Sequence, residues 1–283
     1  MESYSDFAKV YDTFMDETPY EAWSDFLDEL IKKYGISATK NADGAAGENT
    51  DCQKVQEENV LRTERNLVLD LGCGTGTLTE IMAAKGYDMI GVDNSQEMLS
   101  IAMEKREKAG SSTLYLLQDM RELELYSTVG TVISVCDCVN YLLEEEELLQ
   151  TFKLVNNYLY PGGIFIFDFN TVYKYEQVIG DTTIAESREE CSFIWDNYYH
   201  PEEQINEYDL TIFVKDGEDE YGETFRRFQE SHYQRGYTLE QMTGLIKEAG
   251  MTVELVLDAD SHGAVTKESQ RIYILARERG KNE

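Results

Sequence analysis

Residues Leu67 to Gly76, Leu-Val-Leu-Asp-Leu-Gly-Cys-Gly-Thr-Gly, run an apolar strand straight into three glycines at alternate positions. Such a loop has no side chains to keep a ligand off the main chain, and it can take backbone angles that other residues avoid. An acid follows at Asp93, in Ile90-Gly91-Val92-Asp93, at the end of what reads as the next strand. Strand, glycine loop, helix, strand and acid is the order of a Rossmann-like unit that holds a ribose, the carboxylate accepting from its two hydroxyls. The spacing also separates ligands. A dinucleotide loop is G-x-G-x-x-G, but here the third glycine comes one position early and Thr77 stands in its place.

The loop from Asp70 to Gly76 resembles motif I of the class I S-adenosylmethionine-dependent methyltransferases, whose opening acid meets the amino group of the methionine moiety. Later segments follow in that family's order. The strand Leu114 to Leu117 ends in Gln118-Asp119-Met120, which resembles the segment that contacts adenine, Asp119 accepting from the exocyclic amine and the Met120 backbone meeting the ring. The strand Thr131 to Val135 ends in Cys136-Asp137-Cys138-Val139-Asn140-Tyr141, where the family's fourth motif borders the transferred methyl. Pro161-Gly162-Gly163 turns into the strand Ile164 to Phe167, which closes with Asp168-Phe169-Asn170.

The resemblance runs from about Tyr4 to Ala276 and is nearest the bacterial small-molecule branch, similar to sugar N-methyltransferase and glycine N-methyltransferase-like enzymes. It implies an α/β fold: a Rossmann-like seven-stranded, mostly parallel sheet sandwiched by helices, with an antiparallel β insertion forming a lid. It also implies S-adenosylmethionine as cofactor and S-adenosylhomocysteine as its product. The cofactor-binding residues expected on this basis are Tyr11, Tyr20, Trp23, Asp70, Gly72, Cys73, Gly74, Gly76, Asp93, Asn94, Met98, Gln118, Asp119, Met120 and Cys136.

Composition limits the partners. Fifty-five acidic residues stand against 25 basic ones, a formal net charge of -30. Nucleic-acid binders carry a basic footprint, and no basic run here exceeds a pair such as Lys32-Lys33 or Arg226-Arg227. Nucleic acid is therefore not expected, although Arg226, Arg227 and Arg235 together could hold one anionic group. No run of about 18 apolar residues occurs, so no membrane span is expected. The start, Met-Glu-Ser-Tyr-Ser-Asp, lacks the basic and apolar character of a signal peptide. Cys52, Cys73, Cys136, Cys138 and Cys191 are odd in number and contain no C-x-x-C, which suits a reduced, cytoplasmic setting and no metal. A monomer or homodimer is expected.

The chain divides into four parts. Residues 1–36 hold an aromatic-rich stretch, Tyr4 to Met15, and then a helix. Thr18 reads as its N-cap, Pro19 as its first residue and Glu21 as the capping-box partner, with Trp23, Phe26, Leu27, Leu30 and Ile31 on one face and Gly35 as its stop. In related methyltransferases such a segment folds over the cofactor. Residues 37–65 are polar and aperiodic, a flexible insertion. Residues 66–174 and 236–283 supply the Rossmann-like domain, the second piece opening with a capping box at Thr238 and Gln241. Residues 175–235 contain three strand-like runs, Phe193 to Tyr199, Tyr208 to Val214 and Phe225 to Tyr233, with no helix between them; these are the expected lid.

In-line transfer of a sulfonium methyl asks the protein to align donor and acceptor, exclude water and, for a protonated nucleophile, supply a base. Tyr141 is the first catalytic candidate, from its place after the fourth strand. His232 is the second, on the third insert strand with Phe228 and Glu230 on the same face. His200 and His262 read as surface residues. Asp137, Asn140, Tyr141 and His232 are the expected acceptor contacts. The reading is methyl transfer to a nitrogen or oxygen of a small molecule. The alternatives are a non-catalytic cofactor-binding sensor or partner protein, or an RNA or protein methyltransferase, against which the acidic charge weighs.

Overall fold

The computed structural model describes residues 7–40 and 63–281. Its centre is β1 (Leu67–Leu71), in which Val68 and Asp70 point to one face and Leu69 and Leu71 to the other. Parallel to β1 on one side lie β2 (Asp88–Asp93) and then β3 (Leu114–Leu117); on the other lie β4 (Val129–Ser134) and then β5 (Leu159–Asn170). The chain thus reverses its direction of travel across the sheet at the β1/β4 junction. In open parallel sheets ligands bind outside the carboxyl ends of the strands at such a point. β10 (Met251–Asp258) and β11 (Arg271–Glu278) complete a seven-stranded sheet, with β11 antiparallel to β5.

Helices cover both faces, as a mostly parallel sheet requires. On one face α2 (Tyr20–Tyr34) and α3 (Thr77–Ala84) lay Leu27, Ile31, Leu78 and Met82 against Val68, Ile133, Ile164 and Ile166. On the other, α5 (Glu145–Tyr158) and α6 (Leu239–Glu248) lay Phe152, Val155, Met242 and Ile246 against Leu69, Phe165 and Phe167. The alternation in β5 therefore sends Phe165, Phe167 and Phe169 to one core while Ile164, Ile166 and the acid Asp168 face the other. α4 (Gln96–Ala109) connects β2 to β3, with Ser95 capping its start by accepting from the Met98 amide.

The segment after β5 forms a separate antiparallel sheet of four strands, one more than expected: β6 (Thr183–Ser187), β7 (Cys191–His200), β8 (Ile205–Asp219) and β9 (Gly222–Arg235). Its inner face carries Cys191, Phe193, Leu210 and Ile212, covered by Val10 and Phe14 of α1 (Ala8–Phe14) and by Phe7 just ahead of it. α1 also reaches the first sheet, where Asp12 accepts from Thr75 and pairs with Lys105 of α4 at 2.6 Å.

Other departures are local. Helix α2 begins at Tyr20 with Pro19 as N-cap and no side-chain cap, because the Thr18 hydroxyl turns back to the Met15 sulfur. The second capping box, Thr238 with Gln241, forms as expected. Most of the expected insertion, 37–65, lies outside the described residues, as do Tyr4 and its neighbours. The ends of that insertion meet beneath the sheet, where the Ser37 hydroxyl donates to the Arg65 carbonyl. Among the described residues no helix is long and apolar enough to cross a membrane.

Candidate active site

A cavity of about 350 Å³ opens at the β1/β4 junction. Motif I forms its floor. Gly72 and Gly74 take positive φ of 84° and 53°, angles that carry the chain from strand to helix in a tight turn. A methyl on Gly72 would stand 2.7 Å from the Cys138 sulfur, whereas one on Gly74 would meet nothing within 4 Å. The first glycine therefore lets two loops touch, and the second lines the cavity with bare backbone.

Asp93 closes one side. Its carboxylate accepts from the Gly74 amide at 2.8 Å and the Ser95 amide at 2.9 Å, so it orders the loop as well as facing the cavity. Burial raises its pKa, and these amides oppose the rise. Asp70 is buried deeper. Thr79 donates to it at 2.6 Å, and burial pushes its pKa up to about 7. Met98, Met120 and Leu142 supply apolar wall beside Asn94 and Gln118. Asp119 is gripped by the Arg121 guanidinium, which lowers its pKa and leaves it further lone pairs to accept with. Tyr11, Tyr20 and Trp23 close the opposite side from α1 and α2. An acid at the end of β2, a glycine loop and an apolar slot in a cavity of this size fit S-adenosylmethionine.

The turn after β4 is held in an unusual conformation. Cys136 and Asp137 both have positive φ, 66° and 52°, a region that costs non-glycine residues about 1–3 kcal/mol each. The fully buried Asp168 of β5 holds them there. Its carboxylate accepts from the Cys136 amide at 3.1 Å and the Asp137 amide at 2.7 Å. The Asp137 side chain accepts in turn from Arg271 at 3.0 Å and Gln234 at 2.7 Å. So held, the turn presents Cys136 and, at the end of a 3-10 turn over Cys138–Tyr141, Tyr141 to the cavity. Burial pushes the Cys136 thiol up to about 12, so it is neutral at ordinary pH.

Three alternate residues of β9 face this machinery. Glu230 accepts from the Phe7 amide ahead of α1 at 3.0 Å, and Gln234 reaches Asp137. Between them His232, 1% exposed, sits with Nδ1 3.5 Å from the Tyr141 hydroxyl and Nε2 3.3 Å from Glu230. The Tyr141 hydroxyl also bonds that of Tyr208 at 2.7 Å, and the Tyr208 ring stacks on His232. Tyr141 lines the cavity, while His232 stands behind it.

Several expected residues are elsewhere. Gly76 does not line the cavity; it caps α3, where a methyl would strike Tyr115 and Ala102. Asn140 is fully buried and spends its amide on the Asn170 and Arg235 carbonyls and the Asn170 amide, so it is a structural joint. Asp137 is likewise turned to Arg271 and Gln234. The expected cation group does not assemble: Arg226 and Arg227 are exposed on β9, whereas Arg235 donates to the Leu143 carbonyl. Sequence reasoning gave no role to Asp168, Asp12 or Gln234, and only the strand-end position of Asp168 hinted at one.

Such a cavity, at the switch point of a Rossmann-like sheet, is that of an enzyme holding a nucleoside-bearing cofactor. Residues 68–163 match the family described as "Methyltransferase domain". A protein of Geobacillus sp. (strain WCH70), named provisionally as a methyltransferase, is 33% identical over 276 residues, which is 97% of this chain and 99% of its own. An S-adenosylmethionine-dependent methyltransferase from Clostridium acetobutylicum ATCC 824 has a similar structure, with a TM-score of 0.78 and 29% identity over 99% of this chain and 100% of its own. CalS10 of Micromonospora echinaspora, an amino pentose methyltransferase solved with S-adenosylmethionine bound, shares the fold at a TM-score of 0.58 and 20% identity, over 82% of this chain and 93% of its own. The chain belongs to the S-adenosylmethionine-dependent methyltransferase family, and S-adenosylmethionine is its cofactor.

Proposed function

We propose that this enzyme methylates a nitrogen or oxygen of a small-molecule acceptor held between the Cys136–Tyr141 segment and the four-stranded insert. The observation that carries the reading is Tyr141, which lines the cavity and whose hydroxyl reaches the buried His232, itself beside Glu230. When bound, the cofactor supplies a methyl group on a positively charged sulfur. The protein's share is alignment and proton removal. Asp93 and the glycine loop hold the donor, and α1 excludes water from above. Glu230 beside Nε2 favours the His232 tautomer with its proton there, leaving Nδ1 to accept from Tyr141. A proton leaving the acceptor can then pass through the Tyr141 hydroxyl to His232. CalS10, named for an amino pentose, supports a small molecule as acceptor, as does the net charge of -30.

Incubation with methyl-tritiated S-adenosylmethionine and, separately, a small-metabolite pool, bulk tRNA and a protein fraction tests the reading. Label is expected in the small molecules. Label confined to tRNA or protein refutes it.

A further inference from the structure

A second cavity, of about 300 Å³, adjoins the first at Trp23 of α2, which lines both. Lys174, Gln270, Arg271 and Tyr273 line it, with the exposed Asp260 at its rim. Its two cations differ. Arg271 is already neutralised, by Asp137 at 3.0 Å and Asp168 at 3.7 Å, and its guanidinium lies over the Trp23 ring. Lys174 donates to the Asn170 side chain at 2.9 Å and forms no ion pair among the described residues. Burial lowers its pKa, against the attraction of the more distant Asp137 and Asp168. Lys174 is thus a half-buried amine with no carboxylate in direct contact among the described residues, beside the cofactor site. Its direct partner is the neutral Asn170 side chain, so an incoming anion gives the ammonium a contacting counter-charge.

We propose that the cavity between Trp23, Lys174 and Gln270 binds a carboxylate or phosphate group carried by the methyl acceptor, with the Lys174 ammonium as its counter-charge. The inference rests on the small-molecule reading above and narrows it to anionic acceptors. The acceptor then reaches from Lys174 past Trp23 to the Cys136–Tyr141 segment, where its nucleophile stands beside Tyr141.

Two measurements test this on the full chain. In the first, a metabolite pool is fractionated on an anion exchanger and each fraction is offered with tritiated cofactor. Label is expected only in retained fractions; label in the flow-through overturns the proposal. With the labelled fraction, Lys174→Met is expected to raise KM roughly ten- to a hundredfold, the loss of one charge-assisted contact, with kcat and cofactor affinity kept. Lys174→Arg is expected to restore KM. An unchanged KM in Lys174→Met overturns the proposal. In the second, 13C NMR of lysine-labelled protein follows the Lys174 Cε signal, assigned by its loss in Lys174→Arg, during titration with inorganic phosphate and separately with acetate. A shift with phosphate indicates a phosphorylated acceptor, and one with acetate a carboxylated one. No shift with either overturns the anion site. If no fraction is labelled, the small-molecule reading has failed, and the titration alone decides the site.

Discussion

Replacing Asp168 by Asn tests whether this one carboxylate holds the methyl-side turn in shape. The carboxylate accepts from two successive backbone amides, at 3.1 and 2.7 Å, and the two residues so held have φ of 66° and 52°. Asparagine has the same outline but only one oxygen. It keeps one amide bond and turns a donor toward the other, a loss of about 1.5–3 kcal/mol for a charged acceptor. Part of this is offset, because burial disfavours the Asp168 charge and raises its pKa, so a neutral side chain is cheaper to bury. Arg271 also loses one of its two acid partners. The net expectation is about 2 kcal/mol of lost stability, from urea unfolding with an unchanged m-value. With one restraint gone the turn relaxes, and because Cys136 lines the cavity, cofactor affinity by calorimetry is expected to fall about tenfold. A variant with the wild-type midpoint and the wild-type affinity would show that the turn keeps its shape without the charge, and the argument would be wrong.

Asp93→Ala is expected to weaken cofactor binding by roughly ten- to a hundredfold or more while the protein stays folded, measured by calorimetry beside circular dichroism. Tyr141→Phe is expected to lower kcat by about a hundredfold with little change in cofactor affinity, and His232→Gln to lower it less; a Tyr141→Phe enzyme with full kcat removes that hydroxyl from the mechanism. Asp12→Ala, which cuts α1 from Thr75 and Lys105, is expected to speed cofactor dissociation in stopped-flow, with a loss of stability within about 1 kcal/mol because the pair is partly exposed. The Asp70 pKa near 7 lies above its unfolded value near 4, so between these the native state holds a proton that the unfolded chain does not. Its contribution to stability is present below about pH 4 and is lost as pH rises through about 7, by at most roughly 4 kcal/mol; urea midpoints across this range should show the slope in wild type and not in Asp70→Asn.

What the sequence disclosed was what neighbours along the chain decide. The glycine loop, Asp70 and Asp93 declare themselves because strand, turn and next strand lie within thirty residues, and alternation in β9 placed Glu230 and His232 correctly on one face. The burial of His232 was not legible, since the rings against it, Tyr141 and Tyr208, come from distant parts of the chain. Asp168 was not legible either, since its partners come from the parallel β4–β5 register, in which Ser134 lies beside Phe167. Asn140 was misread because it precedes Tyr141; within a 3-10 turn the two side chains leave in different directions, one to the core and one to the cavity. β6 was missed because Thr183–Ser187 is an exposed edge strand lacking the aromatic signature of its neighbours.

α1 belongs to neither sheet. Asp12 ties it to the glycine loop, and Phe14 and Arg188 tie it to the insert, through the Phe193 ring and Asp16. One short helix therefore stands as wall to the cofactor cavity and as floor to the four-stranded insert. If the acceptor binds as proposed, lifting α1 is expected to open both compartments together, so that donor and acceptor exchange share an opening step. On that reading, whatever steadies α1 from one side tightens binding on the other, and by linkage the gain in affinity is returned in equal measure.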